Sequence, residues 1–173
     1  AYSLINTYIT PYSKIALSIN ENQVSSILLT LGIASLIGAK TGGKLADRFG
    51  ARRTLLSSMF IQILALLILS LVGGVRVPTL MLLIIYEMSA WTFGPTQNYN
   101  LVTLAPEASG IMLSLNSSFV QMGFATGAGI GGLAISNFSV LSITIVGAFT
   151  VSTALVIRLK LKDSSSRLVQ SIS

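Results

Sequence analysis

The stretch Gly42–Arg53, GGKLADRFGARR, decides how the chain is read. It gathers Lys44, Asp47, Arg48, Arg52 and Arg53 into one short segment of a sequence in which only 9% of residues are charged. On either side the chain is apolar. Thr54 to Val75 is a charge-free run of 22 residues, which as a helix rises about 33 Å at ~1.5 Å per residue and spans a hydrocarbon core of ~30 Å. Ala108 to Ile157 is fifty residues without a charge. That is too long for one crossing, and the polar middle at Ser136, Asn137, Phe138 and Ser139 reads as a hairpin between two. These runs lack the polar face of a soluble core helix. With 52% hydrophobic residues gathered in long blocks and a mean hydropathy of +0.79, the composition is that of an all-α integral membrane protein.

The hydrophobic pattern predicts five complete crossings, at Gln23–Gly42, Thr54–Val75, Val77–Leu104, Gly110–Ile135 and Val140–Leu159. Ahead of them, Ala1–Tyr12 is apolar and aromatic but only about 18 Å long as a helix, too short to cross unaided. Basic residues accumulate on the cytoplasmic side of membrane proteins. Lys44, Arg48, Arg52 and Arg53 share one side with Arg158, Lys160, Lys162 and Arg167, and Lys40 is close enough to snorkel there, whereas Lys14 and Arg76 fall on the other. The quoted loop and the C-terminus are therefore expected in the cytoplasm, in a multi-pass protein of the cell membrane. This placement explains the net charge of +6 without nucleic acid. The chain has no Cys and no His, so disulfides, thiolate metal sites, the usual metal ligand and the usual neutral-pH base are all excluded. No enzyme chemistry, metal or cofactor is expected.

A basic loop alone would orient the neighbouring helices. The acid Asp47 is not explained that way. In GGKLADRFGARR the glycine pair reads as the end of one helix, Gly50 as a tight turn, and Arg52 and Arg53 as the approach to the next. The segment from Gly43 to Arg53 resembles the cytoplasmic loop signature of the major facilitator superfamily, with Ala51 in place of a common basic residue. Thr7-Tyr8-Ile9-Thr10-Pro11-Tyr12, Gly94-Pro95-Thr96-Gln97, Leu104-Ala105-Pro106-Glu107, Leu113-Ser114-Leu115-Asn116 and Gly127-Ala128-Gly129-Ile130-Gly131-Gly132 are similar to its drug:proton antiporter and sugar-efflux branch. The resemblance implies twelve crossings in two six-helix halves, of which this chain would be the C-terminal half with a truncated first helix. Residues 1–162 would form that half, as one partial and five complete helices, and residues 163–173 a disordered cytoplasmic tail. It further implies that Asp47 latches onto a helix N-terminus of the missing N-terminal half, where the helix dipole and unpaired N–H groups favour a carboxylate. Gly43, Asp47, Arg48, Gly50, Arg52 and Arg53 carry this signature.

Glu87 is the acid well inside a crossing. An intramembrane carboxyl is costly, and it is a candidate for carrying a coupling proton; the structural alternative is a neutral Glu bonded to a Ser or Asn on a neighbouring helix. Trp91, Gly94, Pro95 and Asn98 follow on its helical face, with Gln97 at the edge. Asn116 on the fifth crossing and Tyr8 in the first segment are further candidates to line a substrate or proton path. Gly123, Gly127 and Gly131, four apart, suit close helix packing. Gly127, Gly129 and Gly132 match a nucleotide fingerprint, but inside an apolar crossing with no preceding strand the match is false. The reading that follows is a fragment of a secondary transporter, expected to export drugs, sugars or similar solutes against protons by alternating access. A non-transporting membrane fragment or half-transporter partner, and an importer of the same fold, are the alternatives. The expected partners are lipid, the missing half, a small-molecule substrate and protons.

Overall fold

The computed structural model describes the backbone of residues 2–17, 19–72 and 75–172 and, within these, all side chains except those of residues 21–22 and 161–172. The expectation of a disordered tail over 163–173 lies outside the fully described residues. The chain opens with α1 (Tyr2–Thr7) and α2 (Ile9–Leu17), followed by α3 (Glu21–Phe49), α4 (Ala51–Val72) and α5 (Arg76–Leu104). A 3₁₀ turn at Pro106–Ala108 leads into α6 (Ser109–Asn137), and α7 (Ser142–Ile172) closes the sequence. Five segments are long and apolar enough to cross a membrane: Gln23–Phe49, Ala51–Val72, Arg76–Leu104, Pro106–Asn137 and Ser142–Lys160.

Local chemistry explains where these elements stop. Pro11 has no N–H to offer the Thr7 carbonyl and its ring crowds that group, so the first segment breaks at Tyr8 between α1 and α2. At the start of α3, the Gln23 side chain accepts a hydrogen bond from the Asn20 backbone N–H at 3.3 Å, satisfying one donor of the helix end. The end of α6 is held by Asn137, whose Nδ2 donates to the Leu133 carbonyl at 2.8 Å, and the expected hairpin follows before Ser142.

The end of α3 and the start of α4 differ from expectation, and Arg52 and Arg53 lie within α4. The glycine pair Gly42-Gly43 does not end α3, which continues to Phe49. Gly42 lies against α5, where an added Cβ would stand 2.7 Å from the Thr92 carbonyl oxygen, and at Gly38, one turn earlier, it would collide with the Met88 carbonyl oxygen. These glycines let the backbones of α3 and α5 touch, and that contact outweighs their low helix propensity. The chain turns instead at Gly50, whose φ of 84° lies in the left-handed region and whose N–H donates to the Ala46 carbonyl at 2.9 Å. Since α4 begins at Ala51, the connection is a single residue.

Within the bundle, α5 packs between α3 and α4, α4 also packs on α7, and α1 packs on α6. The core joins Leu4 and Ile5 of α1, Tyr12 of α2, Leu66 and Leu69 of α4, Leu83 and Tyr86 of α5 and Ile143 of α7. The outside is as apolar as the inside. Leu36, Leu71 and Phe149 are 72%, 84% and 73% exposed, side chains that a hydrocarbon solvent accommodates and water does not.

Candidate functional site

Glu87 sits on α5 eleven residues after Arg76, about 17 Å along the helix at ~1.5 Å per residue. It is 3% exposed. Its neighbour across the interface is Asn6 on α1, whose Nδ2 donates to Glu87 Oε1 at 3.4 Å. The same nitrogen donates to the Tyr2 hydroxyl at 3.0 Å, and that hydroxyl also accepts from Trp91 Nε1 at 3.0 Å. The Tyr2 ring meets Trp91 edge-on at 5.7 Å between centroids and lies tilted against Phe124 of α6 at 5.9 Å, separations typical of attractive aromatic pairs. Tyr2, Asn6, Glu87 and Trp91 thus form one connected polar cluster between α1 and α5.

Two clefts flank this cluster. The larger, about 440 Å³, lies among α1, α4, α5, α6 and α7, and its walls include Tyr2, Gln62, Trp91, Gly94, Gly123 and Phe124. The smaller, about 210 Å³, lies among α1, α2, α3 and α5 and holds Glu87 with Asn6, Ser35 and Gly32. Tyr2 and Trp91 belong to both. Glu87 does not line the larger cleft. Sharing a helical face with Trp91 and Gly94 therefore does not place it in the same cavity, because Tyr2 and Trp91, which line both clefts, stand between.

The remaining candidates are distributed differently from a single path. Asn98 Oδ1 accepts from Asn116 Nδ2 at 3.2 Å, tying α5 to α6. Gln97 Oε1 accepts from Arg158 Nη1 at 3.3 Å, tying α5 to α7. Tyr8 donates its hydroxyl proton to the Ala128 carbonyl at 3.0 Å, and its ring fills the space that a side chain at Gly131 would need. It lines neither cleft. Gly127 faces Ser3 and Leu4 of α1, while Gly123 has nothing within 4 Å of an added Cβ and opens onto the larger cleft.

At the loop, Asp47, Arg48, Arg52 and Arg53 are exposed. Arg48 lies over the Phe49 ring at 5.3 Å, and Asp47 makes no ion pair or hydrogen bond with another described residue. The sequence reading missed three polar members of the site, Tyr2, Asn6 and Gln62. Gln62 is buried on α4 and its Nε2 donates to the Ser89 carbonyl at 3.4 Å. Its signal was available, since it is the one amide in the charge-free run Thr54–Val75.

A bundle of five membrane-length apolar helices, with clefts between them and a buried carboxyl beside one, defines a multi-pass membrane protein with internal space for a small molecule. The chain belongs to the Major Facilitator Superfamily, whose family model matches residues 1–171. It is 42% identical over 166 residues to the "Uncharacterized MFS-type transporter YbcL" of Bacillus subtilis (strain 168), an alignment covering 96% of this chain and 43% of that protein. The chain thus spans less than half the length of that curated relative, and its family is one of transporters.

Proposed function

We propose that this chain is the C-terminal six-helix half of a proton-coupled exporter, and that Glu87 carries the coupling proton. The observation that carries the reading is the Glu87 carboxyl, 3% exposed inside a crossing and reached by Asn6 from another helix. A group of this kind is too costly at bilayer depth to be retained for packing, which a Leu would supply. The larger cleft, mostly aromatic and aliphatic with Gln62, Trp91, Tyr2, Ser3 and Thr150 as its polar lining residues, suits small, moderately apolar solutes. Asp47, exposed and without an ion pair among the described residues, is the latch to a helix end of the N-terminal half, and the basic loop faces the cytoplasm. Rocking of the two halves would expose the clefts to either side in turn.

The test uses the full-length parent protein reconstituted in proteoliposomes. Glu87→Gln is expected to abolish solute-driven proton flux while leaving solute binding in place. Flux equal to the wild type would remove Glu87 from the mechanism.

A further inference from the structure

The two clefts share two side chains, Tyr2 and Trp91. The Tyr2 ring walls the larger cleft against Trp91 and Phe124, while its hydroxyl faces Asn6, the residue that reaches the buried carboxyl in the smaller cleft. We propose that Tyr2 is the positioning residue that couples solute to proton: a neutral aromatic solute in the larger cleft displaces the Tyr2 hydroxyl, and Asn6 relays the change to Glu87. The proposal rests on the exporter reading above and adds to it the solute class and the residue that connects the two sites.

The argument is one of shared donors. Asn6 Nδ2 lies 3.0 Å from the Tyr2 hydroxyl and 3.4 Å from Glu87 Oε1, so the amide is held mainly by the phenol. The Trp91 N–H donates to the same hydroxyl at 3.0 Å and also acts on the Glu87 carboxyl. A solute that packs on the Tyr2 ring and moves its hydroxyl aside releases both donors from it. Asn6 is then free to close on Glu87, and a donated hydrogen bond favours the carboxylate. The proton leaves the Glu87 carboxyl for bulk water, and no other bond is made or broken.

Solute binding and proton release are thereby linked, as exchange requires. Around Glu87, the other titratable groups on the described helices are Tyr2 from α1 and Tyr86 from α5 itself, while α2 and α3 bring non-titrating groups to the small cleft, Ser35 among them. The solute class follows from the lining of the larger cleft, which has aromatic walls and an amide but no charged side chain.

The experiment measures binding and proton release together on the purified full-length parent in detergent. The probe is 1-aminoanthracene, a neutral aromatic amine whose emission reports an apolar site, and a pH-indicator dye in weakly buffered solution near neutral pH reports released protons. The wild type is expected to bind the probe and release protons, and Glu87→Gln to bind without release. Tyr2→Phe, which keeps the ring, is expected to bind within about threefold of wild type while its release falls at least about tenfold. Tyr2→Leu, which removes the ring, is expected to weaken binding about tenfold. Release that depends on Glu87 but persists in Tyr2→Phe overturns the role of Tyr2 and leaves the exporter reading standing. Release that persists in Glu87→Gln removes Glu87 as the carrier of the coupling proton, and with it the relay through Asn6. Undiminished binding by Tyr2→Leu, or no binding by the wild type, overturns the assignment of the larger cleft to a neutral aromatic solute.

Discussion

Glu87 and Gln62 are polar side chains buried in apolar crossings on facing helices, and substitution separates what each does for function from what it does for stability. Glu87→Leu keeps the volume and removes the need to bury a carboxyl, so detergent-solubilised protein is expected to keep its thermal midpoint within the effect of about 1 kcal/mol, or to become more stable. Transport is expected to be lost. A large fall in the midpoint would show instead that the carboxyl is a structural group. Gln62→Leu removes the amide from the larger cleft, and the solute KM is expected to rise about three- to tenfold, the worth of one hydrogen bond of about 0.5–1.5 kcal/mol. Glu87 was legible as a buried acid because a charge inside a long apolar run has few innocuous explanations. Its partners were not legible, because Asn6 lies 81 residues away on α1 and nothing local to either residue specifies that contact.

Between elements, the closest contact is the seam of α3 and α5, where glycines on one helix meet threonines on the other. The Thr92 hydroxyl is shared between the Gly38 carbonyl at 3.0 Å and the Met88 carbonyl at 2.9 Å, and the Thr96 hydroxyl between the Gly42 carbonyl at 3.2 Å and the Thr92 carbonyl at 2.7 Å, so the pairing repeats one turn apart. Alanine scanning along α3 should therefore give opposite signs at neighbouring glycines. Gly38→Ala and Gly42→Ala drive a methyl group into the α5 backbone and are expected to cost about 1–3 kcal/mol. Gly43→Ala has open space and is expected to stabilise by up to about 1 kcal/mol through helix propensity alone. At the turn, Gly50→Ala places a side chain at φ 84° and is expected to cost about 1–2 kcal/mol. Thermal unfolding of the four variants in detergent checks all of these, and equal effects at Gly42 and Gly43 would refute the seam. In the sequence the glycine pair had the look of a helix end, since glycine both terminates helices and permits close packing. Which role applies depends on whether another helix lies alongside.

For the whole molecule, the distribution of Lys and Arg predicts that the Gly50 turn faces the cytoplasm. With Arg52→Cys in a parent cleared of other cysteines, a membrane-impermeant maleimide is expected to label inside-out vesicles and not right-side-out ones; the reverse pattern would invert the topology. Asp47→Asn is expected to weaken the cytoplasmic closure between halves, seen as faster labelling at cysteines placed beneath the loop. The sequence by itself determined that the chain is an all-α membrane protein with five helices long and apolar enough to cross, and where most of those helices begin and end. Those properties follow from transfer free energy and backbone capping, which are summed over neighbouring residues. Only the tertiary structure decided that residues on one face of α5 divide among different partners: Glu87 and Trp91 to α1, Asn98 to α6. The physical reason is that a helical face is broad enough to meet several neighbours, and the packing of α1 against α6 sets Tyr2 beside Trp91 between the two clefts.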